Sequence, residues 1–121
     1  MTNILSLPLV SLIATAGTDE DWIDAIAFTT AAGAGLDLTS IAFTLDISTG
    51  TSTALSLSTG AGTLSLVQGA GSTVNNVLLI NVPAASKAAL TSRIYLLSGS
   101  ASADGHVIDV IIGSLSIRQS Y

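Results

Sequence analysis

Cysteine is absent from the 121 residues, so no disulfide and no thiolate metal site can form. Charge is scarce as well. Asp, Glu, Lys and Arg make up 9% of the chain, against roughly 25% in an ordinary soluble domain. Only Lys87, Arg93 and Arg118 are basic, and the net charge is −5. A groove for nucleic-acid phosphates needs several clustered cations, which three scattered ones do not supply. The aromatics are Trp22, Phe28, Phe43, Tyr95 and Tyr121, and His106 is the single histidine. Ser, Thr, Asn, Asp or Gly interrupts every apolar run well before the about 20 residues of a membrane-spanning helix.

Hydroxyls stand in for the missing charge. The chain carries 17 Ser, 14 Thr and 11 Gly. Free monomers ordinarily stay soluble through surface charge. A chain that uses Ser and Thr instead reads as a β-rich module covered in part by copies of itself or by partners. The length suits one domain, taken as residues 1–121.

Alternation with period two is the dominant pattern. Ile41, Phe43, Leu45 and Ile47 point one way, and Ala42, Thr44, Asp46 and Ser48 the other, as in a half-buried strand. Leu55 and Leu57 alternate with small polar residues, and Leu64 and Leu66 flank Ser65. Residues 74–82 are apolar on both faces and read as a central strand. Residues 22–28 read as another strand. The apolar stretch Ile4 to Ile13 is expected to be the first strand. It imitates a signal peptide, with Ala14-Thr15-Ala16 like a cleavage site, but no Lys or Arg precedes it and Ser6, Pro8 and Ser11 break it. His106 to Ile117 closes the chain as one strand or a pair. There Ile108, Val110 and Ile112 are expected on one face, Leu115 and Ile117 on the other, and a bulge or kink at Gly113.

Turn signals separate these runs roughly every 8–15 residues. Asp104-Gly105 between two β runs is a hairpin signal. Gly-Ala-Gly recurs at 33–35, 60–62 and 69–71, irregularly spaced, as loop glycines rather than phosphate cradles, for no Lys follows any of them. Only residues 83–90 read as helix, with Pro83 at the start and an Ala-rich run behind it. These features predict an all-β fold. It is an antiparallel β-sandwich, Ig-like or jelly-roll-like, of about seven to nine strands with one short helix near 84–91.

Candidate chemistry is thin. Asp19, Glu20, Asp21 and Asp24 form an acidic cluster whose oxygens suit a hard cation, but the spacing is not that of an EF-hand loop. A polar turn leading into a strand is the simpler reading, and whether the four acids bind a cation stays open. His106 follows the hairpin signal and reads as an exposed turn residue. No G-x-S-x-G elbow accompanies it, and one histidine cannot build a multi-His metal site. No catalytic, cofactor or metal residue is therefore assigned, and the chain is read as not an enzyme. Trp22 is the best candidate for a sugar-stacking platform, set against a place in the core or in an inter-subunit seam. Trp22, Tyr95 and Tyr121 are expected at an interface.

Several segments together carry a resemblance. They are Leu5 to Leu9, Asp21-Trp22-Ile23-Asp24, the run from Leu36 to Phe43, the run from Val82 to Leu90, Asp104-Gly105-His106-Val107, and Ile111 to Ile117. In order and over most of the chain, they resemble small β-sandwich proteins and domains of tailed bacteriophages and prophages. The likeness is to the N-terminal domain of baseplate upper proteins and to tail-fibre adaptors. Ser40 stands where that family usually has Gly, and Leu96-Leu97 follows Tyr95 where it often has Tyr-Asp. Charged residues often follow the alternating strand after Asp37-Leu38-Thr39, and here that strand ends in Ser48-Thr49-Gly50. The resemblance implies a non-enzymatic virion component of the tail, baseplate or fibre attachment, made in the host cytoplasm. It would assemble with itself, in three- or sixfold order, and with other virion proteins. A capsid decoration or neck protein, or a carbohydrate-binding or adhesion sandwich taking a surface glycan, are the alternatives. Neither nucleic acid nor membrane insertion is expected.

Overall fold

The alternating runs become strands in a computed structural model, which describes residues 7–17, 20–29, 35–87, 90–91 and 93–118. Eight strands lie among them. They are β1 (Val10–Gly17), β2 (Trp22–Ala27), β3 (Ala42–Ser48), β4 (Thr53–Ser58), β5 (Leu64–Val67), β6 (Val77–Val82), β7 (Arg93–Ala103) and β8 (His106–Arg118). One sheet has the order β1-β8-β7-β3-β4 and the other β2-β6-β5. The fold is an all-β sandwich, as the alternation predicted.

Inward side chains of both sheets meet in one core. Ile41, Phe43, Leu45 and Ile47 are buried, as are Leu78, Ile80 and Val82 from the opposite sheet. Phe28 and Phe43 meet with ring centroids 6.0 Å apart. Burying each such side chain stabilises the fold by about 1.5–3 kcal/mol. Strand β6 occupies the middle of its three-stranded sheet, in keeping with its two apolar faces. It starts at Val77, because Asn75 and Asn76 bond laterally instead. The Asn76 carbonyl accepts from Phe28 N–H at 2.8 Å, the Asn75 carbonyl from Leu38 N–H at 2.9 Å, and Asn76 Oδ1 from Gly69 N–H at 2.9 Å.

The first strand begins later than the apolar stretch suggested, at Val10, and residues 1–6 lie outside the described part. It pairs parallel to β8, from Val10 opposite Ile111 to Gly17 opposite Arg118. It is thus the exception in an otherwise antiparallel sandwich.

Strand β8 corrects one expectation. Its phase shifts at Val110 and Ile111, which are both buried, and not at Gly113. Gly99 pairs with Ile111 while Ser100 pairs with Asp109, leaving Val110 as the extra residue of a bulge. Glycine on the facing strand makes the room, since a Cβ on Gly99 would lie 2.8 Å from the Ile111 Cβ. Ile112 consequently faces outward. Gly113 serves another purpose. A Cβ there would lie 1.7 Å from the Leu12 carbonyl oxygen, so only glycine lets β1 dock against β8.

The Asp104-Gly105 hairpin forms as expected. Ala103 pairs with His106, and both loop residues have positive φ, 52° and 80°, the conformation of a two-residue type I′ turn. The helix near 84–91 is reduced to a 3-10 turn, Ala84–Lys87, with residues 88–89 outside the described part. Segments this short gain little from Ala propensity alone. Asp21 anchors this turn by accepting from Ala84 N–H at 2.9 Å.

Ser and Thr also build the chain's crossings between sheets. Thr59 joins β3 to the β4–β5 connection twice, through its N–H to the Phe43 carbonyl at 3.1 Å and through its hydroxyl from Phe43 N–H at 3.2 Å. The Thr63 hydroxyl accepts from Ser58 N–H at 3.1 Å. Gly62 and Gly71, from two of the Gly-Ala-Gly repeats, adopt the positive φ that turns require.

Candidate assembly surface

Large aromatic rings gain most from leaving water, and in this chain they have done so. Trp22 is 2% exposed and Tyr95 3%. Trp22 lies in phase with Ile26 on β2 and pairs with Val82, while its Nε1–H donates to Asp24 Oδ2 at 2.6 Å. Tyr95 lies in phase with Leu97. Its hydroxyl accepts from Thr91 N–H at 2.9 Å, and the Arg93 guanidinium sits 5.3 Å from its ring centroid. The expectation that these two residues sit at an interface is therefore corrected: both belong to the core and its polar lid. Tyr121 lies outside the described residues.

The acidic cluster is taken up by local structure. Asp24 holds the indole, Asp21 holds the 3-10 turn, and Asp19 lies outside the described residues. Among the described residues no group of three or more His, Asp or Glu side chains is placed to hold a metal ion. His106 is exposed at the hairpin mouth.

Sequence reasoning missed Lys87. Its side chain is fully buried. The Nζ donates to the Gly17 carbonyl at 2.7 Å and to the Glu20 carbonyl. Lys87 thus ties the β1–β2 connection to the 3-10 turn across some 70 residues of sequence. A buried ammonium is stable only where polar oxygens replace its water, and these carbonyls supply them.

The centre of one sheet face is apolar and hydroxylic. The outer face of the five-stranded sheet carries three cross-strand triplets on β1, β8 and β7. They are Ser11–Ile112–Ser98, Ile13–Ser114–Leu96 and Thr15–Ser116–Ile94. Ile13 is 83% exposed, Ile94 64%, Ile112 56% and Leu96 53%. None of the nine residues is charged. The field continues onto β3 through Ser48 and Asp46, whose carboxylate accepts from the Ser56 hydroxyl, and through Thr44, bonded to Ser100 at 2.8 Å.

The sheet edges are equally plain. Strands β1 and β4 end the five-stranded sheet. Neither contains Lys, Arg, Asp, Glu or Pro, the usual guards against strand addition. Such an arrangement can make flat, hydrogen-bonding contacts with another protein. It offers no described constellation for nucleophilic or acid–base chemistry. Compared with protein-family models and with curated proteins, the chain matches none.

Proposed function

We propose that this chain is a non-enzymatic structural protein of a bacteriophage particle. It would serve in the tail, baseplate or fibre attachment and join copies of itself and other virion proteins through its low-charge face and strand edges. The observation that carries the reading is the nine-position charge-free field on β1, β8 and β7, beside an unguarded β1 edge. Contacts over such a surface avoid burying charge, which is costly unless paired. Unguarded edges permit strand addition between subunits. Symmetric repetition turns a modest contact into a stable assembly.

The sequence resemblance supports the phage context. Ser40, where the resembled family usually has Gly, has φ of 75°, a left-handed conformation that glycine adopts without cost. A decoration or neck protein of the capsid would use the same surface. The glycan-binding alternative loses its best support, because Trp22, Phe28, Phe43 and Tyr95, the four described aromatics, are all buried.

Quantitative mass spectrometry of purified particles tests the proposal. A fixed number of copies per particle is expected, few for a baseplate or fibre part and many for decoration. Recovery of the protein only as a free or cell-surface species would overturn it.

A further inference from the structure

We infer that the charge-free field on β1, β8 and β7 is an isologous interface with a second copy of this chain, two sandwiches packing outer face to outer face. This deepens the assembly reading above and rests on it. Three observations point to a copy of the chain itself.

The first is relief. Each aliphatic side chain of the field has a serine across the strand pair: Ile13 and Leu96 beside Ser114, Ile112 beside Ser98, and Ile94 beside Ser116. Large and small residues therefore alternate as knobs and hollows. A face of this kind is complementary to its own two-fold image, the knobs of one copy entering the serine hollows of the other, as packed sheets interdigitate.

The second is charge. A partner of identical sequence brings the same net charge of −5, so copies can meet closely only where neither presents a carboxylate. The nine positions carry no carboxylate, and two acids flank them: Asp46, which pairs with Ser98 and is engaged by Ser56, and Asp109, exposed on β8 opposite Ser100.

The third is size. Three strands by three outward rows span about 14 by 20 Å. The outer residues of β3 and β4, Asp46 among them, extend the same face toward the ~800 Å² that each partner contributes to a stable interface. Apolar patches of this kind on soluble monomers generally mark contact sites.

Sedimentation velocity of the full chain from 1 to 100 µM tests the inference, using wild type, Ile13→Glu, Leu96→Glu and Ile23→Glu. Ile23 is 59% exposed on the other sheet and serves as the control. All three substituted positions project outward, so folding is preserved, which circular dichroism melting verifies. Wild type and Ile23→Glu are expected to dimerise, with Ile13→Glu and Leu96→Glu at least tenfold weaker. A wild type that stays monomeric at 100 µM overturns the inference. So does a dimer that Ile13→Glu and Leu96→Glu leave intact, or one that Ile23→Glu disrupts instead. Particle composition separates the two levels. A fixed copy number in particles together with a dimer built on another face removes only this inference. Absence from particles together with the expected variant behaviour removes only the virion assignment.

Discussion

Replacing Gly113 by Ala should unzip the edge of the five-stranded sheet. The added Cβ would lie 1.7 Å from the Leu12 carbonyl oxygen, 2.7 Å from its carbon and 3.0 Å from its nitrogen. A comfortable C···O approach is about 3.3 Å, so the two strands must separate locally by about 1.5 Å. The obstacle is backbone and cannot swing aside like a flexible side chain. Moving it breaks the ladder around the Leu12–Gly113 pair, which lies inside the β1–β8 register. Two lost hydrogen bonds at about 1 kcal/mol each, plus loosened packing of Leu12 and Ala14, give a destabilisation of about 3 kcal/mol. With a urea slope of about 1.5 kcal/mol per molar, the unfolding midpoint falls by about 2 M. Gly60→Ala is the matched control. Its nearest neighbour would be the Ser58 hydroxyl at 3.9 Å and its φ is not positive, so the change should be neutral or stabilise by about 0.5 kcal/mol. Urea denaturation of both variants beside wild type decides the matter. A loss below about 1 kcal/mol for Gly113→Ala, comparable to the control, refutes the close-approach argument.

Other consequences follow from the same geometry. Lys87→Met keeps the stem but leaves the buried Gly17 carbonyl without its donor. Thermal and urea unfolding should show a loss of about 2 kcal/mol, and a neutral result would mean that relief of the buried ammonium matches the lost bonds. Ser40→Gly removes a left-handed side chain at φ of 75° and should raise stability by about 0.5–1 kcal/mol; a decrease would contradict the strain. The Asp37 carboxyl is held below the usual carboxylate range by the Thr39 hydroxyl, aided by the Thr39 N–H. Its folded value is lower than its unfolded one, so its stabilisation is present above about 4 and is lost as the pH falls further. The stability difference between wild type and Asp37→Asn should therefore shrink from pH 5 to pH 3, and a difference that stays constant counts against the turn.

The fold was legible where determinants are local. Ile41, Phe43, Leu45 and Ile47 carry a strand's period in their own order, and Asp104-Gly105 carries a turn's φ values. What escaped the sequence was set across space. The phase of β8 depends on Gly99 of the facing strand, and the need for Gly113 on Leu12 of β1, neither adjacent in sequence. Lys87 gave no local sign of burial, because its partners are carbonyls of Gly17 and Glu20 far back in the chain.

The aromatics were misassigned for a different reason. In a charge-poor chain, rare rings look like contact anchors. Trp22 shares its face with Ile26, however, and Tyr95 shares its face with Leu97. That phase was readable and points both rings inward. The uncharged field was hidden because its aliphatic residues belong to three strands, each with an unremarkable alternation, and only the register sets Ile13, Leu96, Ile94 and Ile112 among serines.

A cryo-electron-microscopy reconstruction of the particle would report both whether this chain belongs to it and what covers its outer face. Symmetry-related copies of this sandwich are expected in the tail, baseplate or fibre region, with Ile13 and Leu96 covered by a neighbouring copy. A particle without the sandwich, or one that leaves the β1-β8-β7 face open to solvent, would contradict this expectation.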